Sequence, residues 1–114
     1  MNDRELLELA AKAAGIEVRW NENWSAFQRA TPLQALGGER HAWVPLDDDG
    51  DAFRLAVRLC MNIEVTERYV VACSVGNFHE SANPDNDAAL RRAIVRAAAE
   101  IAVAVARDSL AGPQ

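Results

Sequence analysis

The chain has 114 residues, 50% of them hydrophobic by count, with 12 basic against 17 acidic side chains and a formal net charge of −5. That length suits one domain around a single core, and the composition excludes disordered and fibrous classes. The negative balance disfavours non-specific attraction to nucleic acid or anionic lipid, no run reaches the ~18 apolar residues of a membrane span, and two cysteines make no disulfide framework.

Because 22 of the hydrophobic residues are alanine, the bulk of a core must come from the Leu, Ile, Val, Phe and Trp positions. Asn2 with Glu5 three residues on makes a capping-box pattern, and Leu6, Leu9, Ala10 and Ala13 repeat at helical spacing, predicting a helix over 3–14 that stops at Gly15. The acidic, helical start differs from the basic-then-apolar pattern of a secretory signal, so a cytoplasmic location is expected. Ile16, Val18 and Trp20 alternate with charged residues as in a short strand. Asn21 and Asn23 break that alternation, which resumes only at 40–44, so a long excursion carrying Trp24 and Phe27 is expected between two strands. Its aromatic surface either folds back onto the core or meets a partner.

The acidic run Asp47, Asp48, Asp49 and Asp51 predicts the start of a second helix reaching about Met61, since carboxylates satisfy the free amides at a helix start. Its expected apolar stripe is Phe53, Ala56, Val57 and Cys60, widened by Leu55 and Leu59, with Arg54 and Arg58 on the other side. Residues 63–65 and 69–75 are the two best strand signals and should pair as a hairpin. The stretch 76–86 reads as a loop. A final helix follows from Asn86 or Asp87 to about Arg107, with Leu90, Ile94, Ala97, Ile101 and Val105 facing one way. From Ile101 to Ala106 it has no polar face, which predicts cover on more than one side and a homodimer through that segment, Val103 included.

The run from Trp43-Val44-Pro45-Leu46 through the acids to Leu59, the segment Arg91–Ile101 and the opening Glu5–Gly15 together resemble a family of small bacteriophage and prophage proteins, the phage ABA sandwich domain. Val44-Pro45 stands where members commonly carry Asn-Pro. The resemblance implies a layered α/β/α arrangement and a phage or prophage origin, and it implies no catalytic residues and no cofactor.

The acids at 47–51 do not form an EF-hand: with Gly50 at loop position six, Pro45 falls where an Asp is required and Ala56 where a Glu is. Helix capping accounts for them. His41, His79, Cys60 and Cys73 lack the paired spacing of a zinc site, and neither a nucleophile elbow nor a phosphate-binding loop occurs. On the last helix Arg91, Arg92, Arg96 and Arg107 oppose Glu100, but only Arg92 and Arg96 lie one turn apart on one side, and few aromatics accompany them to stack bases.

The sequence therefore predicts one α+β domain over 1–114, with 1–2 and 108–114 as flexible ends. Expected is a layered sandwich of three helices and a mainly antiparallel sheet of about four strands, in the order α-β-β-α-β-β-α. The expected function is a non-enzymatic protein-interaction module without cofactor or metal, its partner surface drawn from Trp24, Phe27, Arg92, Arg96 and Val103. Two alternatives come from other classes. One is a metal- or small-molecule-binding enzyme using His41, Asp48 and Asp49, and the other a nucleic-acid contact through Arg92 and Arg96.

Overall fold

The computed structural model describes residues 1–30, 41–65, 69–73, 77–81 and 86–111. Helix α1 (Asp3–Ala14) starts where Asn2 Oδ1 accepts from the Glu5 amide at 2.8 Å, while the Asn2 side-chain Nδ2 donates to Glu5 Oε1 at 3.2 Å, a side-chain variant of the capping box. It ends at Gly15, whose φ of 70° suits a residue without Cβ, and the Ile16 amide closes back onto the Ala11 carbonyl at 2.9 Å.

Strands β1 (Val18–Asn21), β2 (Ala26–Arg29) and β3 (Ala42–Trp43) form a first antiparallel sheet in that order. The expected excursion is therefore a tight hairpin as far as Arg29, and its remainder, 31–40, lies outside the described residues. Asn21 drives the turn, taking the Trp24 amide on Oδ1 at 3.1 Å. Ser25 completes it at φ 49°. The register sets Trp20 opposite Phe27 and Phe27 opposite Trp43, a row of aromatics across the sheet, with the first two rings edge-on at 5.1 Å. Phe27 and Trp43 are buried, so Phe27 is core and not the surface residue the sequence suggested beside Trp24.

Helix α2 (Asp49–Arg58) is capped by Asp48, which accepts from the Asp51 amide at 2.8 Å. Its buried face is Asp51, Ala52, Leu55 and Ala56, so the expected stripe is rotated: Phe53 and Val57 are 66% and 60% exposed, and Cys60 is exposed too. The cause is the buried Asp51, which hydrophobicity counting puts outside and hydrogen bonding holds inside.

Strands β4 (Asn62–Val65), β5 (Tyr69–Cys73) and β6 (Asn77–Ser81) make a second antiparallel sheet. β4 and β5 pair as expected, whereas β6 occupies what read as a loop. Helix α3 (Asn86–Ala111) is the hub, with α1, α2, β5 and β6 all packed on it. Ala93, Ile94, Val95, Ala97, Ala98 and Ala99 are buried, and alanines at this density let neighbours approach from several sides. Beyond them Ala102 is still buried and Val105 is 59% exposed, so the helix leaves the core within the segment expected to dimerise.

Among the described residues the fold is α+β, with three helices and six strands divided over two sheets. One core joins Ala10, Phe27, Trp43, Leu55, Ala72 and the α3 alanines. No helix among the described residues is long and apolar enough to cross a membrane.

Candidate functional site

The densest polar cluster lies where α2 meets the first sheet. Asp51, buried to 1% residual exposure, accepts from Arg29 Nη2 at 2.9 Å, Arg54 Nη2 at 2.7 Å and the Val44 amide at 2.9 Å. Arg29, itself 4% exposed, also donates from Nη1 to the Ala42 carbonyl at 2.7 Å. Burial alone pushes the Asp51 carboxyl up; the Val44 amide, Arg29 and Arg54 outweigh it and hold it below the usual 3.8. This network ties β2, β3 and α2 together. Sequence reasoning missed Arg29 because nothing local distinguishes it; its partner is distant in the chain.

Two further acids of the run are structural. Asp48 caps α2, and Asp49 meets Arg91 Nη1 at 2.6 Å while Arg91 Nε donates to the Leu46 carbonyl at 2.9 Å, fastening α3 to the start of α2. His41 lies edge-on to Trp24, ring centres 6.4 Å apart. Among the described residues no three His, Cys, Asp or Glu side chains are placed to hold a metal, so His41, Asp48 and Asp49 form no such metal group. His79 and Cys73, considered as ligands, have side chains outside the described set.

The α3 arginines are engaged within the fold. Arg92 Nη2 reaches both oxygens of Asp3 at 3.0 and 3.1 Å, and Arg96 bonds Glu80 of β6. An arginine held by a carboxylate has less to offer a phosphate than a free one, which weakens the nucleic-acid alternative.

Between α1 and the first sheet lies a cleft of about 310 Å³ floored by Trp20, Phe27 and Leu7 and rimmed by Asp3, Arg92 and Asp47. A second hollow of about 380 Å³ shares Arg4, Trp20 and Phe27 with it. The Arg4 guanidinium sits 4.4 Å over the Trp20 ring, between the two.

The uncovered apolar surface is elsewhere. Trp24 on the β1–β2 turn is 51% exposed, Phe53 and Val57 stand one turn apart on the outer face of α2, and Ile63 and Val65 are exposed on β4. Of the partner surface expected from sequence, Trp24 is exposed, Phe27 is core, Arg92 and Arg96 are half-buried in ion pairs, and Val103 is half-buried. Phe53 and Val57 were missed because their spacing matches a core stripe as well as it matches a surface one. No family model matches this chain, nor does any curated protein or solved structure.

Proposed function

We propose that the chain is a non-enzymatic protein-interaction module of bacteriophage or prophage kind, working in the cytoplasm of a bacterial host and associating with protein, itself included. One observation carries it: α2 presents two large apolar side chains one turn apart, Phe53 and Val57, to solvent. The resemblance of Trp43–Leu59 and Arg91–Ile101 to the phage ABA sandwich domain supports the setting. Asp48, Asp49 and Asp51 are used in capping and ion pairs, which accounts for these three acids without a catalytic role. The test is a photo-crosslinking amino acid at position 53 in a bacterial host, with Glu8 as an exposed control position. A discrete protein adduct from position 53 alone supports the reading, and none from either position contradicts it.

A second reading, a small-molecule site, rests on the cleft over Trp20. A saturable rise in melting temperature with a planar aromatic carboxylate such as naphthoate, absent in Arg4→Ala, supports it, and no rise removes it.

A further inference from the structure

Among the described residues strand β4 is an edge of the second sheet, and all four of its residues are exposed, while Val71 and Ala72 of the neighbouring β5 are buried. Its register against β5 is unbroken from Asn62 to Val65. The strand thus lacks the bulge, proline or lysine by which proteins commonly blunt a free edge. It also carries misplaced apolar groups. Ile63 stands opposite Ala72, and Val65 opposite position 70, which in turn faces Glu80. Because Glu80 bonds Arg96 of α3, Ile63 and Val65 lie on the face of the sheet that α3 covers, on the strand its cover does not reach.

We infer that β4 pairs antiparallel with β4 of a second copy of this chain, joining two three-stranded sheets into one of six strands. This rests on the reading that the chain works through protein contacts, and it names one partner and one surface. A two-fold axis perpendicular to the sheet sets both α3 helices on the same face, with Ile63 and Val65 of both copies in the valley between them.

The sequence of the strand selects the register. With the axis at Ile63, the Asn62 amide stands opposite the Glu64 carboxylate of the second copy, twice by symmetry. On the other face Ile63 meets its own equivalent and Val65 meets Met61 of the second copy, so polar and apolar positions stay separate. An axis at Glu64 sets two carboxylates face to face, which is disfavoured, and an axis between the two residues is excluded because directly opposed residues must point to the same face.

Sedimentation velocity on the full chain tests the pairing. We expect dimers at about 100 μM, a concentration suited to a modest interface. Asn62→Lys should tighten the dimer about fivefold by adding two opposite-charge pairs, and Asn62→Asp should loosen it by a similar factor. Glu22→Lys, on the exposed β1–β2 turn, should leave it unchanged. A monomer at that concentration, or Asn62→Lys and Asn62→Asp shifting association in the same direction, overturns the inference. If a crosslinker at position 53 still captures a host protein, the self-pairing alone has failed and the interaction reading stands.

Discussion

Replacing Asp51 by alanine removes the acceptor shared by Arg29, Arg54 and the Val44 amide and leaves the Arg29 guanidinium buried at 5% side-chain exposure. Removing one partner of a buried ion pair typically costs about 3–5 kcal/mol, because the charge left behind is desolvated and uncompensated. That is a large share of the ~5–15 kcal/mol that holds a domain of this size together. For a chain of this length it corresponds to a fall in melting temperature of roughly 12–20 °C. Arg54→Ala, at a side chain 42% exposed, should cost under about 1 kcal/mol. The double replacement Arg29→Met with Asp51→Leu should recover most of the loss, since no buried charge remains. Thermal melts and urea titrations of the single and double variants close the cycle. An Asp51→Ala variant within about 1 kcal/mol of the parent, or a double variant no better than the single, refutes the claim that this network holds β2, β3 and α2 together.

The same carboxyl gives an acid dependence. Its folded value lies below its ordinary 3.8, so the stability it contributes is complete above that pH and is lost as pH falls through the folded value. Urea midpoints measured from pH 5 down to pH 2 should show a decline below about 4 that is shallower in Asp51→Asn. Trp43→Ala, at a residue 1% exposed, should cost about 3–5 kcal/mol, whereas Phe53→Ser at 66% exposure should stay within about 0.5 kcal/mol by the same melts. Gly15→Ala meets no neighbouring atom, so its expected cost of about 1 kcal/mol is the backbone's alone, read from the same urea titrations. Calorimetric titration with Mg²⁺, Mn²⁺, Ca²⁺ and Zn²⁺ should give flat traces; saturable heat lost in Asp48→Asn would reinstate a metal at the start of α2.

Local rules made much of the fold legible. Asn2, Glu5 and Gly15 mark the ends of α1 through short-range hydrogen bonds, and Asp48 marks the start of α2 in the same way. The β-branched run after Tyr69 similarly locates a central strand. What the sequence hid is non-local. The turn at Asn21 is a side-chain to backbone bond that only looks like an interruption of strand alternation. β6 has little β-branched content and exists through its pairing with β5 and the bond from Glu80 to α3. The face of α2 turned inward is decided by a charge pair between Arg29 and Asp51, and no periodicity within the helix records it. The candidate surface followed the same pattern: Trp24 was visible as an aromatic in a turn region, while Phe53 and Val57 looked like core until Asp51 was seen to occupy that place.

Capture by the outer face of α2, measured with and without a charge placed on it, tests the central claim most directly. A crosslinker at position 53 should yield its adduct in the parent chain and lose it in Val57→Asp, while the melting temperature of Val57→Asp stays close to the parent's, because the side chain replaced is 60% exposed. An adduct that persists at full yield in Val57→Asp, or a Val57→Asp protein that no longer folds, would contradict the assignment of this face to recognition.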